Sequence, residues 1–240
     1  TQLERLIREF QEKYILYDVS EYKLKYAILR EDWDEAITLS NQVISNPFNS
    51  NTKKAFPRCV VIERNPALSS EAKFKQWKTI LRESQWSWDS FDFVYQIAKR
   101  MGKVDKYEEI LIEIVNDKPT SPFPYNFLAF VYEDKDEISK AVEMVRQAIS
   151  ISSREVSNYY ELSRLLTLEA KQLFDGGKIE EANRKLEEAV RNFPYYLPAW
   201  HMLIETCKAM GDEEGTLQKM YGLEQIEEKS IMKHLWEIIY

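Results

Sequence analysis

The sequence predicts an all-α protein in which antiparallel helix pairs stack along the chain. The main observation is an internal repeat, because an offset of 34 residues places bulky, small and glycine positions on their counterparts. The aligned pairs are Leu166 with Trp200, Ala170 with Ile204, Leu173 with Cys207, Gly177 with Gly211, Ala182 with Thr216, Leu186 with Met220 and Ala189 with Leu223. Six Gly and eight Pro are few for 240 residues, and β-turn pairs such as Asn-Gly do not recur. A fixed period of this size is typical of a stacked repeat array.

One period of this pattern resembles the tetratricopeptide repeat (TPR). The first of the two best copies reads Leu166, Glu169, Ala170, Leu173, Gly177, Ala182, Leu186, Ala189 and Pro194, and the second reads Trp200, Leu203, Ile204, Cys207, Gly211, Thr216, Met220 and Leu223. Glu169 departs from the family pattern, as do Thr216 and Leu223 at two small positions. The resemblance implies a right-handed superhelical solenoid of TPR-like antiparallel helix pairs. We expect one domain over residues 1–240, with about five to six pairs and a terminal helix.

Degenerate repeats are predicted over residues 1–88. Apolar residues at helical spacing predict one helix over residues 2–17 and a second from Ser20, which is a suitable N-cap. The segment 30–37, Arg-Glu-Asp-Trp-Asp-Glu-Ala-Ile, is similar to a TPR turn and the second helix that follows it, with Ala36 at the small position. That helix should end at Asn46-Pro47. Pro57 suits the first turn of a helix, which predicts a start near Phe56.

Clear repeats are predicted over residues 89–223, after a helix that Ser69 or Ser70 caps. One copy contains Phe91 and the next contains Tyr125, 34 residues later. Small residues at fixed positions should let the helices approach closely; they are Ala129, Ala141, Ala148, Ala170, Ala182 and Ala189.

An insertion interrupts the period after Tyr125. The next copy begins at Leu166, 41 residues later instead of 34. Seven residues are close to two turns of ~3.6 residues each, so they can lengthen a helix without rotating its buried face. We place the insertion in residues 152–166, with Ser152 or Ser153 as the cap, and we predict a final helix over residues 225–240.

Charge and hydropathy exclude some classes of function. The net charge is −7, and the acidic excess lies in residues 121–240, which hold 14 basic and 21 acidic side chains. An acidic chain does not favour broad nucleic-acid binding, although a local patch can still bind. No apolar run approaches the ~20 residues that a membrane helix needs, so membrane insertion is not expected.

The two cysteines, Cys59 and Cys207, give neither a disulfide framework nor zinc-ligand spacing. We interpret them as buried or half-buried thiols in a reducing compartment, which favours a cytoplasmic location. The start at Thr1 and the apolar end over residues 235–240 indicate a piece of a longer protein.

No catalytic or metal-binding constellation is visible in the sequence. His201 and His234 are the two histidines, and neither lies in a cluster with metal-ligand spacing. The Gly176-Gly177 pair lies at a repeat turn and lacks the pattern of a phosphate-binding loop. We therefore predict a protein that is not an enzyme and needs no cofactor.

The repeat register places a mixed set of side chains on the surface formed by the first helices of the pairs. They are Asp92, Gln96, Asn126, Phe130, Lys171, Phe174, His201 and Glu205. Amide, aromatic and charged groups together suit an extended or helical peptide. From this set we predict a partner-binding site made of Asn126, Phe130, Lys171, Phe174, His201 and Glu205.

Two features of this predicted site bear on its ligand. TPR domains that clamp a C-terminal carboxylate use a Lys/Asn pair at two first-helix positions, and the matching Asn126/Phe130 and His201/Glu205 pairs are incomplete, so that ligand is not expected. Phe130 and Phe174 are either anchors for a partner or core residues, and the sequence leaves both interpretations open.

A second candidate surface is the basic segment over residues 53–82. It contains Lys53, Lys54, Arg58, Arg64, Lys73, Lys75, Lys78 and Arg82 against Glu63 and Glu71. Such a segment suits an acidic protein, a phosphate-bearing ligand or nucleic acid. The simpler interpretation is a solvated helix face whose Phe74 and Trp77 lie in the core.

The resemblance implies a non-catalytic scaffold or adaptor that binds a partner protein or peptide in its concave groove. Repeats of this kind define a fold, and fold alone does not define function. The alternative is a TPR-like appendage that positions substrate for a larger enzyme polypeptide. Nucleic-acid binding through residues 53–82 is a third and less favoured interpretation.

Overall fold

The computed structural model describes Arg5 and residues 20–239, with side chains as far as Glu227. Residues 20–239 form helices joined by short connections and contain no strand. The helices are α1 (Ser20–Leu29), α2 (Trp33–Ser45), α3 (Asn51–Arg64), α4 (Ser70–Glu83), α5 (Trp88–Arg100), α6 (Val104–Asn116), α7 (Phe123–Asp134), α8 (Ile138–Ile151), α9 (Val156–Asp175), α10 (Ile179–Asn192), α11 (Leu197–Ala209) and α12 (Glu213–Ile239). The predicted helix over residues 2–17 lies outside the described residues apart from Arg5.

The chain divides into two compact units, Thr1–Pro124 and Tyr125–Tyr240. In unit 1, consecutive helices from α1 to α6 pack together, and α3 also contacts α5 while α4 contacts α6. In unit 2, consecutive helices from α8 to α12 pack together, and α9 contacts α11. Contacts between successive helices and between every second helix are what stacked helix pairs produce. The predicted all-α fold of TPR-like helix pairs is therefore confirmed, whereas one domain over residues 1–240 stays a prediction.

The turn inside five of the helix pairs has one geometry. In these five turns the second residue after the first helix has a left-handed backbone, at Gly102, Gly177 and Gly211 with φ of 62°, 76° and 73°, and at Glu31 and Asp136 with φ of 59°. The following backbone N–H bonds back to a carbonyl five residues earlier, as from Lys178 to Leu173 at 2.9 Å. These are the bonds of a Schellman helix end, where glycine is favoured because it has no Cβ.

The predicted small positions lie in the core. Ala129, Ala141, Ala148, Ala170, Ala182 and Ala189 are all at most 1% exposed. In unit 2 most of them form one cluster with Leu165, Leu166 and Leu186. Because an alanine side chain ends at Cβ, these positions let neighbouring helices approach closely. Met220, which the repeat aligns with the buried Leu186, is 48% exposed on α12.

Large aromatic residues complete the core of unit 1. Trp77 and Tyr107 are fully buried, and each satisfies its polar atom on a backbone carbonyl. The Trp77 indole N–H donates to the carbonyl of Cys59 at 3.3 Å, and the Tyr107 hydroxyl donates to the carbonyl of Phe91 at 3.0 Å. Burial raises the pKa of Tyr107 well above its ordinary value.

The insertion lengthens α9, as predicted. This helix has 20 residues, whereas α7 has 12 and α11 has 13. Its N-cap is Glu155 instead of a serine, because residues 152–155 form a turn before the helix begins.

Two other predicted boundaries also differ from the structure. Helix α3 begins at Asn51, capped by Ser50, and Pro57 lies inside it rather than in its first turn. Helix α12 runs from Glu213 to Ile239 without the expected break near residue 224, because Gly222 continues the helix and no proline follows it.

Candidate functional site

The six predicted partner-binding residues lie on the first helices of the helix pairs in unit 2. We call the surface to which these first helices contribute the first-helix face. Helix α7 provides Asn126 and Phe130, and the longer α9 provides Lys171 and Phe174. Helix α11, which packs against α9, provides His201 and Glu205. The face therefore draws on three helices whose positions are fixed by the alanine-lined core behind them.

An amide pair links α7 to α9 on this face. Asn126 Nδ2 donates to Asn158 Oδ1 at 3.0 Å. Asn158 is 2% exposed, and its own Nδ2 has no hydrogen-bond acceptor among the described residues. Leaving a buried amide donor without an acceptor costs about 1–3 kcal/mol. Such a group is the kind of exception that calls for a ligand or another explanation.

An ion-pair network lies on the same two helices. Arg164 forms a bidentate pair with Glu133, with N–O distances of 2.6 and 2.5 Å, and its Nε donates to Glu161 at 2.9 Å. The hydrogen bonds that Arg164 donates to the Glu133 carboxylate raise the pKa of the Arg164 guanidinium. The network is partly buried, with all three side chains below 30% exposure. It holds α9 in a fixed position against α7.

Both aromatic residues of the predicted site are half-buried. The Phe130 ring contacts Phe127 edge to face, with centroids 5.4 Å apart. Phe174 packs against the unit 2 core cluster. Each ring therefore has one side against the protein.

The three charged or ionisable residues of the predicted site are exposed. Lys171, His201 and Glu205 form no hydrogen bond or ion pair with one another or with other described side chains. They are available to a ligand, but the structure does not bring them into one polar cluster as it does for Asn126 and Asn158.

A buried carboxylate at Glu169 is one of the polar departures from the repeat pattern in unit 2. Its Oε1 accepts from the Ser139 hydroxyl at 2.7 Å, and its Oε2 lies 2.8 Å from Lys185 Nζ. Both oxygens therefore have partners on neighbouring helices, α8 and α10. We assign Glu169 to helix packing rather than to the first-helix face.

The extension of α9 adds an aromatic cluster that the repeat pattern does not reveal. Tyr160 contacts Phe193 and Tyr196 edge to face, with centroids 5.7 and 5.5 Å apart. Tyr160 is 41% exposed and Tyr195 is 57% exposed, whereas burial raises the pKa of Tyr196. The sequence signal was the 41-residue spacing, which predicts a longer helix but not what that helix contacts.

Ion pairs neutralise much of the basic segment over residues 53–82. Lys78 pairs with Glu113, Arg82 with Asp117 at 2.6 Å, Arg58 with Glu83 at 3.7 Å and Lys73 with Glu63 at 3.4 Å. The guanidinium of Arg64 lies 4.6 Å from the centre of the Trp33 ring. Phe74 and Trp77 are 6% and 0% exposed, which confirms that both lie in the core.

Other sites of chemistry are limited in the described part of the chain. No group of three or more His, Cys, Asp or Glu side chains within it is arranged to hold a metal ion. Cys59 and Cys207 are both buried, as predicted, and burial raises the pKa of the Cys59 thiol far above its ordinary value. None of the described helices combines the length and apolar character needed to cross a bilayer.

Comparison with known proteins finds similarity of structure only. No protein-family model and no curated protein matches the sequence. The chain is similar to a crystal structure of MamA, with 17% identity, 68% of this chain and 91% of that chain covered, and a TM-score of 0.44. It is similar to YrrB, described as a TPR protein with an unusual peptide-binding site, with 11% identity, coverage of 89% and 97%, and a TM-score of 0.42.

An IFIT1 monomeric mutant with Gppp-AAAA is also similar, with 15% identity, coverage of 92% of this chain and 54% of that chain, and a TM-score of 0.42. Similarities this low carry no argument about function. The fold assignment rests on the helix pairs and turns of this chain.

Proposed function

We propose that the protein is a non-catalytic interaction scaffold that binds a segment of a partner protein on the first-helix face of unit 2. The observation that carries this proposal is the amide pair of Asn126 and Asn158, with its buried and unpartnered donor.

The amide pair has the hydrogen-bonding character of a receptor for peptide backbone. Its internal bond uses Nδ2 of Asn126 and Oδ1 of Asn158, which leaves Oδ1 of Asn126 to accept and Nδ2 of Asn158 to donate. One acceptor beside one donor complements the N–H and C=O of a peptide unit. A ligand that supplies the carbonyl removes the cost of the buried orphan donor, so peptide binding is favoured at this position.

The rest of the face supplies contacts for the ligand's side chains. The half-buried Phe130 lies one helical turn after Asn126 on α7 and offers an apolar anchor. The exposed Lys171, His201 and Glu205 offer both signs of charge, which can set the direction in which a segment lies. Phe174 adds a second ring, part of which is held by the core.

We propose a protein partner rather than nucleic acid. Phosphate backbones are bound by rows of cations, whereas four of the eight cations in the basic segment of this chain are paired with carboxylates. The net charge of −7 also opposes a long polyanion. Attachment to a larger enzyme and a cytoplasmic location both stay predictions from the sequence.

Selection of random dodecamer peptides on phage, followed by fluorescence polarisation with the best peptide, tests the proposal. We expect Asn126→Ala to weaken binding of that peptide by tenfold or more, because the variant loses the acceptor and disturbs the orientation of Asn158. The matched control is Asn116→Ala, which removes an exposed asparagine at the end of α6 in unit 1. Equal affinity for both variants, with both folded, would show that peptides do not bind at the amide pair.

A further inference from the structure

A cavity of about 220 Å³ lies between α4 and α6, the second helices of two neighbouring pairs in unit 1. Its floor is apolar, because Phe74 and Ile110 line it and are 6% and 5% exposed. Four lysines and three glutamates stand around that floor. The cavity is separate from the first-helix face of unit 2, so an inference about it does not depend on the proposed function.

The four lysines of the cavity differ in their partners. Lys78 pairs with Glu113, and Lys106 Nζ lies 2.8 Å from Glu109 Oε2. The other two, Lys75 and Lys103, have no carboxylate partner among the described residues.

The third glutamate of the lining, Glu71, also acts on Lys106, and together with Glu109 it raises the Lys106 pKa. Each of the three carboxylates of the lining therefore interacts with Lys78 or with Lys106. Lys75 and Lys103 line the same cavity, and among the described residues neither has an acidic group within 4 Å.

A helix end and a buried hydroxyl group add to the lysines of this cavity. Helix α6 begins beside Lys103 without a side-chain cap, and the backbone N–H groups of Lys106 and Tyr107 bond to the Lys103 carbonyl. The Ser70 hydroxyl oxygen is buried, lines the cavity and has no hydrogen-bond partner among the described residues. The positive ends of α4 and α6 add to the potential of the two free ammonium groups.

We propose that this cavity binds a phosphate monoester carried on a side chain of a partner protein. Two unpaired ammonium groups match the dianion of a phosphate monoester, whereas a carboxylate neutralises one of them. The phosphate's oxygens also offer acceptors to the Ser70 hydroxyl. The apolar floor of Phe74 and Ile110 suits the carbon chain that attaches the phosphate, which a free phosphate ion lacks.

Calorimetric titration of the whole chain with a phosphoserine heptapeptide tests this proposal. The probe has one phosphoserine between two leucines, and the same peptide without phosphate is its control. We expect binding only by the phosphorylated form, at a ratio of one to one. Binding should be several-fold weaker at pH 5 than at pH 7, because the second pKa of the phosphate is about 6.

The decisive variant is Lys75→Gln combined with Lys103→Gln, which removes both unpaired charges. We expect at least a tenfold loss of phosphopeptide affinity. The matched control is Lys118→Gln, an exposed lysine beyond the opposite end of α6, about 20 Å along that 13-residue helix. The phosphopeptide affinity of this control should stay within twofold of that of the unchanged protein. Circular dichroism melting curves of both variants check that they are folded.

Several outcomes would overturn the proposal. These are no binding of the phosphopeptide, equal binding of the unphosphorylated control, or full affinity in the folded double variant. Inorganic phosphate bound as tightly as the peptide would assign the cavity to a small anion instead. Tighter binding of a single-stranded RNA dodecamer that the double variant abolishes would assign it to nucleic acid.

Discussion

At the scale of single residues, the two aromatic rings of the first-helix face differ in what holds them. Phe130 contacts the Phe127 ring edge to face, whereas Phe174 packs against the cluster that forms the unit 2 core. The sequence register treats both as inward-facing residues of first helices. Because Phe174 packs against the core cluster, we expect it to contribute more to stability, and we propose Phe130 as the anchor for a partner.

This difference is testable by truncating each ring. Phe130→Ala should lower the free energy of unfolding by about 1 kcal/mol. Phe174→Ala should lower it by about 2 kcal/mol, below the 3–5 kcal/mol typical of a fully buried phenylalanine. Urea denaturation measures both. Phe130→Ala should also weaken the phage-selected peptide by more than tenfold. A stability loss of 3–5 kcal/mol for Phe130→Ala would place that ring in the core and remove it from the site.

At the scale of elements, the repeated turn shows how backbone geometry persists where the sequence pattern does not. Glycine marks this turn at Gly102, Gly177 and Gly211, yet Glu31 and Asp136 adopt the same left-handed backbone. The tertiary packing of each helix pair holds the turn, so a residue with a Cβ is tolerated at a cost of about 1–2 kcal/mol.

At these turns, replacing glycine should lower stability, whereas introducing glycine should raise it. Gly177→Ala should destabilise the protein by about 1 kcal/mol through backbone strain alone, because an added Cβ meets no atom within 4 Å. Glu31→Gly should stabilise it by about 0.5 kcal/mol, since part of the gain is lost to the flexibility of glycine in the unfolded chain. Thermal melting checks both changes. An increase in stability on Gly177→Ala would contradict the strain argument.

The longer α9 is a second feature at this scale. Two added turns keep the buried face in phase, which is why the sequence predicts that the stack continues through the insertion. The added turns also bring Tyr160 against the loop that contains Phe193 and Tyr196. Which loop a helix extension reaches depends on the packing of the next pair, and repeat spacing does not encode that.

At the scale of the whole molecule, stability should be mostly a sum over neighbouring helices. Each unit has its own buried residues, and in unit 2 these form a continuous cluster across α7 to α11. In arrays of this kind a local defect weakens the adjacent repeats more than distant ones. A core substitution in one unit should therefore leave the other largely protected.

Ala182→Leu tests this expectation. Ala182 is 0% exposed and lies within the unit 2 cluster. A larger side chain at this position should overpack the core and lower the free energy of unfolding by roughly 1–3 kcal/mol. Hydrogen exchange should accelerate in α9 to α11, while α5 and α6 keep their protection. The control is Ala209→Leu at the exposed end of α11, which should change neither. Uniform acceleration across both units would contradict nearest-neighbour stability.

The sequence by itself determined the helix pairs, the period, the small core positions and the lengthening of α9. These follow from local propensity and from residues a fixed distance apart, which a single chain displays directly. It also placed Asn126 and Phe130 on a first helix, and it placed Phe74 and Trp77 within a basic segment.

Only the tertiary structure decided which polar groups meet. Asn126 donates a hydrogen bond to Asn158, which lies 32 positions away in the sequence. Lys78 on α4 pairs with Glu113 on α6, whereas Lys75 on the same helix has no carboxylate partner among the described residues. The sequence cannot rank such partners, because a shift of a few ångströms between docked helices makes or breaks each bond. The candidate sites at the first-helix face and the α4–α6 cavity therefore depend on which polar side chains of neighbouring helices pair with each other and which are left without a partner.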